Sequence, residues 1–374
     1  MFKSQLNSVS NKSIADILAR IESQIERVED WTRLSKTPVV SVCIMAYNHG
    51  NYIGQALDSI LMQEFQYPIE IVVGEDKSTD NTREIVCEYQ KRHPDKIRLR
   101  LARRNIYSQG LMPGVGGRAA CRGRYIALLD GDDYWTDSYK LQKQVDFLEA
   151  NPDYFICFHN VDILCTKGLI RDFITDVPET TDLVYFAKRG NYIRTATTVF
   201  RNIFLKGKTL PDYFYKVPIG DFALWLYISQ FGKIKKFPEK MAVYRKHSNG
   251  VYSCIKPYNV QKMWFDTFNE LCEHYISESE YIDIAKILKL RRLEFAVKMI
   301  NYAHDKNDIE SVNYYINQAV KYPDTFLEFC SKSYFVSRLM TDEIGIKEYF
   351  KIFVRKFAKK IKFKYFDRIF RRVV

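Results

Sequence analysis

A chain of 374 residues, 47% of them apolar or aromatic, is long enough to enclose one large α/β core and a smaller appendage. Its net charge of +12 admits nucleic acid, an anionic membrane or an anionic substrate as partner, and position decides among them. Between Lys351 and Arg372, ten Lys or Arg stand against one acidic residue, Asp367, so the tail alone carries nine of the twelve excess charges. The eight cysteines are scattered singly, which excludes a zinc or redox pair and predicts reduced core thiols in a cytoplasmic protein. Met1-Phe2-Lys3-Ser4-Gln5 leads into polar sequence without an apolar leader, and no run has the apolar length of a membrane span.

Ser13 with Asp16 three residues on reads as a capping box. Ile14, Leu18, Ile21, Ile25 and Val28 then follow a four-three spacing that predicts one apolar helical face. Five positions are short for a coiled coil, so a helix packed on its own domain is preferred to a homodimer seam. Residues 1–36 form this N-terminal helical segment.

Val39 to Met45 is the first buried strand. Tyr47-Asn48-His49-Gly50-Asn51 is turn chemistry, with His49 an exposed loop histidine, and Ile53, Ala56, Leu57, Ile60 and Leu61 recur at helical spacing. Ile69 to Val73 is a second strand ending at Gly74-Glu75-Asp76. Ser78-Thr79-Asp80-Asn81 then starts a helix running towards Tyr89. Ile97 to Leu101 alternates basic and apolar residues, which predicts a strand near the sheet edge. Gly110 to Arg118 is rich in glycine but lacks the Lys and Ser/Thr of a P-loop and a clean helical pattern after it, so it reads as a flexible loop.

Tyr125 to Leu129 is apolar at five consecutive positions, the pattern of a strand buried on both faces. At its carboxyl end Asp130, Asp132 and Asp133 place three carboxylates within four residues. They repel one another unless a cation sits among them, and the carboxyl ends of strands in open α/β sheets are where ligands bind. Asp130-Gly131-Asp132 can set two oxygens around one divalent ion, with Gly131 allowing close backbone approach; a solvated acidic turn is the plain alternative.

A helix ending near Asn151-Pro152 follows, then a strand from Tyr154 to Phe158. Residues 160–195 are less regular and hold Lys188, Arg189 and Arg194, and Thr197 to Phe200 is a short strand. Asp221 stands at the start of a helix, where an N-cap is its simplest role. Met241 to His247 is a strand ending in a histidine, and beyond Ser253 the spacing predicts two or three helices. The domains are therefore 37–253, catalytic; 254–348, helical; and 349–374, a basic tail.

Three segments, Ser41-Val42-Cys43-Ile44-Met45-Ala46-Tyr47-Asn48, Glu75-Asp76-Lys77-Ser78-Thr79-Asp80-Asn81-Thr82 and Leu129-Asp130-Gly131-Asp132-Asp133, resemble in order and spacing the signatures of the family 2 inverting glycosyltransferases. The resemblance covers about residues 38 to 250. It implies the GT-A nucleotide-sugar-binding fold: an α/β domain with a mostly parallel central sheet flanked by helices, here joined to a C-terminal helical region. It implies a donor site at Ala46, Tyr47, Asp76, Asp130 and Gly131, with Arg118 standing nearest to the donor-contacting Arg-Asn pair of relatives. The implied metal ligands are Asp130, Asp132 and His247, holding Mn2+ or Mg2+, and Asp221 is the implied catalytic base, with Gly220 where the family usually has Glu. Glu75 replaces the more usual Asp.

The expected reaction moves a sugar from a nucleotide-diphosphate donor, uridine being the family's commonest base, to a hydroxyl of a glycan or lipid-linked acceptor in surface polysaccharide synthesis. Two other classes are weighed against it. A sugar-phosphate nucleotidyltransferase needs a basic, glycine-rich motif near the first strand, which Tyr47-Asn48-His49-Gly50 is not. An inactive nucleotide-sugar-binding module could lose Asp132 or Asp221, and both are present. In the tail, Phe350, Val354, Phe357 and Ile361 share one helical face while lysines crowd the rest, which predicts an amphipathic helix on the anionic inner face of the cell membrane rather than a nucleic-acid contact.

Overall fold

The computed structural model describes residues 14–206, 209–248, 250 and 255–325, except 320 and 323. The chain divides into two compact units, Met1–Ile255 and Lys256–Val374. In the first, one mixed sheet is built from β1 (Ile25–Val28), β2 (Val40–Ala46), β3 (Ile69–Glu75), β4 (Ile97–Ala102), β5 (Tyr125–Asp130), β6 (Tyr134–Trp135), β7 (Tyr154–Cys165), β8 (Gly168–Arg171), β9 (Thr180–Thr181), β10 (Val199–Arg201) and β11 (Lys233–Arg245). Its helices are α1 (Ile14–Glu22), α2 (Ile53–Leu61), α3 (Thr82–Arg92), α4 (Pro113–Ala119), α5 (Lys140–Ala150), α6 (Leu183–Arg189) and α7 (Gly220–Ile228). The second unit contains α8 (Pro257–Ile276), α9 (Ile282–Asp305) and α10 (Ile309–Ala319).

The strand order is β1-β4-β3-β2-β5-β10-β7-β11-β6, with β8 on β7 and β9 on β11. β4, β3, β2 and β5 are mutually parallel, and Val40, Val42, Ile44, Ile71, Val73, Ala127 and Leu129 are sealed in one core. This is the mostly parallel, helix-flanked sheet that the apolar runs predict. The chain passes from β2 outwards through β3 to β4 and then returns to lay β5 on the other side of β2. The gap between the carboxyl ends of β2 and β5 is thus a topological switch point, where open sheets of this kind bind ligands.

The first helix stops at Glu22, and Ile25 and Val28 belong to β1, antiparallel to β4 with Ile25 opposite Ala102. β4 offers an open edge, and residues 25–28 pair along it as a short strand whose two ends, Ile25 and Val28, are half-buried. Ile17 and Ile21 of α1 are buried within their own unit.

β4 is consequently interior: all six residues are buried, and the basic residues that suggested an edge are paired. Arg98 meets Glu70 at 2.9 Å and Glu29 at 3.1 Å, and Arg100 meets Glu22. Glu70 also accepts from Ser41 Oγ and Arg122, so each buried charge is compensated, the condition under which burial is tolerated.

Lastly, the glycine-rich stretch is not a loop from Pro113 onwards but α4, with Pro at its first turn. Its glycines let the helix lie on β2: a Cβ on Gly117 would stand 3.0 Å from Cys43 Sγ. Cys43, Cys121, Cys157 and Cys272 are buried free thiols. Ser13, Cys254, Cys330 and the basic tail lie outside the described residues.

Candidate active site at the sheet switch point

The loop after β2 and the turn after β5 lie side by side because their strands are neighbours in register, with Met45 opposite Asp130 and Gly131 N–H donating to the Met45 carbonyl at 3.0 Å. Gly131 is required by proximity: a Cβ there would lie 2.7 Å from His49 Nδ1. From the far side, β11 runs antiparallel to β6, with Val243 opposite Tyr134, and delivers Tyr244 to His247 over the same turn.

Arg245 clamps the turn. Its backbone N–H donates to Asp133 Oδ1 at 2.8 Å, its guanidinium to the Asp132 carbonyl at 2.6 Å and to Gln55, and it lies 4.5 Å over the Tyr134 ring. His247 Nε2 stands 3.0 Å from Asp132 Oδ2, its ring packed on Tyr52 at 4.8 Å. His49, expected to be exposed, is only 18% exposed at its side chain and has Nε2 3.9 Å from the same Asp132 oxygen.

The electrostatics follow from this crowding. Burial first, then the charges of Asp132 and Asp221, push the Asp130 carboxyl up to about 7, against the opposing pull of Arg118. Asp133 is pushed well above the carboxylate range by burial and then by the charges of Asp132 and Asp130, and one of its oxygens has no hydrogen-bond partner. Burial lowers the His49 imidazole.

Asp221 lies in the first turn of α7, not at its N-cap, which is Ile219. Phe222 N–H donates to Oδ1 at 2.8 Å and Asn191 Nδ2 donates to Oδ2 at 2.8 Å; burial raises its pKa while these bonds and Arg194 oppose the rise. Arg194 is held by Asp172 at 2.6 Å and lies over the Tyr244 ring. A Cβ on Gly220 would make only ordinary contacts, the nearest to Met112 Sδ at 3.6 Å, so crowding does not dictate glycine there.

The proposed donor residues are distributed unevenly. Tyr47 is exposed at the mouth, whereas the Ala46 side chain is in the core and its carbonyl accepts the Asp76 N–H. Asp76 is buried, with Oδ1 taking the Ile106 N–H at 2.6 Å and Oδ2 the Tyr107 N–H at 3.1 Å; a second lone pair remains on each oxygen. Glu75 is structural: it accepts the Ser78 N–H and pairs with Arg83, bracing the turn that carries Asp76. Arg118 has a buried Nε without a hydrogen-bond partner and is close enough to Asp130 to act on its charge.

Residues 41–208 match the family model for Glycosyl transferase family 2. The UDP-Glc:alpha-D-GlcNAc-diphosphoundecaprenol beta-1,3-glucosyltransferase WfaP of Escherichia coli is 31% identical over 218 residues, 57% of this chain and 79% of that protein. The chain belongs to glycosyltransferase family 2. An uncharacterized protein of Mycobacterium tuberculosis is 35% identical over 214 residues, 57% of this chain, and the alignment spans only 60% of that relative's length. S. aureus TarS, residues 1–349 in complex with UDP-GlcNAc, has a similar fold with TM-score 0.53 and 19% identity over 75% of this chain and 81% of that one.

Sequence reading of this family 2 chain named Asp130, Asp132, His247 and Asp221. It gave no role to Arg245 or Asn191, read His49 as an exposed loop histidine and left Arg194 in an irregular basic stretch, although Arg245 lies in the same Tyr-Arg-x-His step as His247. Among the described residues no helix is long and apolar enough to cross a membrane.

Proposed function

We propose that the protein is a metal-dependent inverting glycosyltransferase that takes a nucleotide-diphosphate sugar and glycosylates a hydroxyl of a glycan or lipid-linked acceptor. The observation that carries this reading is the meeting of Asp132, His247 and Asp130 at the switch point, within electrostatic reach of a separately braced carboxylate, Asp221.

Among the described residues no group of three His, Cys, Asp or Glu stands ready to hold a metal ion by itself. What is present fits the partial shell of a hard divalent ion, which takes one or two carboxylates and leaves its remaining positions to substrate phosphates and water. Asp132 and His247 would hold Mn2+ or Mg2+, and Asp130, whose ionisation is opposed by burial and by the charges of Asp132 and Asp221, would be relieved by it. When bound, the ion supplies Lewis-acid stabilisation of the departing nucleotide diphosphate, worth several kcal/mol.

The chain's own residues do the rest. Asp221 takes the proton from the acceptor hydroxyl as that oxygen bonds to the anomeric carbon and the sugar–phosphate bond breaks on the opposite face. A base with a raised pKa is a stronger proton acceptor for this task. Asn191 fixes its orientation, and Arg245 holds the acidic turn in place. Tyr47, Asp76 and Arg118 are assigned to the donor.

Screening a panel of nucleotide sugars should find one whose nucleoside diphosphate is released in a Mn2+-dependent manner. No release or transfer with any donor, with or without acceptors, would sink the enzymatic reading in favour of a binding module.

The acceptor side is inferred from the tail and from the lipid-linked acceptor in the E. coli relative's name. Basic residues near an anionic surface contribute about 1 kcal/mol each, to which burial of Phe350 and Phe357 adds. Deleting residues 350–374 should release the chain from phosphatidylglycerol vesicles and spare transfer to a soluble acceptor. Unchanged sedimentation with those vesicles would remove the tail as anchor.

A further inference from the structure

His49 sits in the β2–α2 loop with neither ring nitrogen committed to a structural hydrogen bond. Nδ1 is buried without a partner, against Gly131, and Nε2 is 3.9 Å from Asp132 Oδ2, beyond hydrogen-bond reach. With Nδ1 turned onto Gly131, Nε2 is the nitrogen that faces Asp132.

The loop is also pre-set. Asn48 takes a left-handed φ of 54°; its N–H donates to Ser78 Oγ at 3.0 Å, the His49 N–H to Thr82 Oγ1 at 2.8 Å and the Gly50 N–H to Asp80 Oδ2 at 2.9 Å. Three consecutive backbone amides are thus fixed by α3 and the turn before it, which aims the imidazole at Asp132 without a folding cost on binding. Across the carboxylate, His247 Nε2 stands 3.0 Å from the same oxygen.

We infer that His49 is a ligand of the divalent ion that Asp132 and His247 hold, and that this second imidazole tilts the site from Mg2+ towards Mn2+. The inference rests on the metal reading of the site proposed above. Its warrant is geometric. Two donor atoms each about 2.1 Å from one ion stand about 3.0 Å apart when adjacent in the shell and about 4.2 Å apart when opposite. The separations from Asp132 Oδ2, 3.0 Å for His247 Nε2 and 3.9 Å for His49 Nε2, lie within that interval, the first at the adjacent value and the second short of the opposite one. Ligand chemistry supplies the selectivity: imidazole nitrogen suits transition ions, whereas Mg2+ is served by carboxylate, phosphate and water oxygens.

The test uses the full chain with Mn2+, alone and with UDP, and reads electron spin echo modulation from coordinated imidazole nitrogen together with Mn2+ affinity and its competition by Mg2+. The wild type should show two imidazoles. His49→Asn and His49→Gln, checked for an unchanged melting temperature, should show one, bind Mn2+ about 10-fold more weakly and lose much of the preference over Mg2+.

A single imidazole in wild type and in both variants, lost in His247→Asn, overturns the role of His49 and leaves the metal reading intact. Absence of any imidazole, or of bound Mn2+ in both conditions, overturns both.

Discussion

Asp221→Asn should keep donor binding and lose about 10²- to 10⁴-fold in turnover, the usual loss when a general base is removed. The substitution is nearly isosteric, and an amide oxygen can still accept the Phe222 N–H, so α7 should start as before. What goes is the basic lone pair facing the acceptor. The pH profile of the wild type gives a second reading of the same group. Activity needs the ionised carboxylate, and burial raises its pKa, so kcat/KM should fall on acidification along a limb lying above the ordinary carboxylate range. Isothermal titration with the donor identified in the panel, beside single-turnover rates, separates binding from chemistry. Near-normal turnover in Asp221→Asn would take the base role away from this residue.

Asp132→Ala should abolish both activity and the Mn2+ enhancement of donor binding without unfolding the chain. Asp132 is in a turn beyond β5, and its charge is one of the influences driving Asp130 up to about 7. A carboxyl raised in the folded state binds more protons there than in the unfolded chain between about pH 4 and 7. Wild-type stability therefore falls as pH rises through that window. Removing Asp132 lessens the rise, so at pH 8 the metal-free variant should melt at the same temperature as wild type or above it. Thermal scans at pH 5 and pH 8 check the sign. Retention of Mn2+-enhanced donor binding by Asp132→Ala would refute its assignment as a metal ligand.

How far the site was legible differs residue by residue. Asp130, Asp132 and Asp221 stand out because a carboxylate following a fully apolar strand, or opening an apolar helix, is conspicuous against its local pattern. Arg98 and Arg100 misled for the same reason. Charges on alternate positions of β4 look like a solvent-facing edge, and only their pairing with Glu29, Glu70 and Glu22, residues 28 to 78 positions away, makes them interior. Glu22 and Glu29 also flank β1, so the error about Ile25 and the error about β4 are one error: the strand that closes the edge was read as the end of a helix.

Periodicity and composition were enough for the apolar strands β2, β3 and β5, the helices between them and the acidic turn, because burial on a sheet or a helix face imposes its period directly on neighbouring residues. Periodicity carries no information about which strand end lies beside which. The order β4-β3-β2-β5 places the His49 loop against Asp130-Gly131-Asp132, across 81 to 83 positions of sequence, and the antiparallel β11–β6 pair folds His247 onto Asp132 from 115 positions away. Asn191 reaches Asp221 in the same manner, from a loop whose own sequence has no regular pattern. These juxtapositions come from strand order and register, which are long-range choices of the whole core, and for that reason they appear only once the chain is folded.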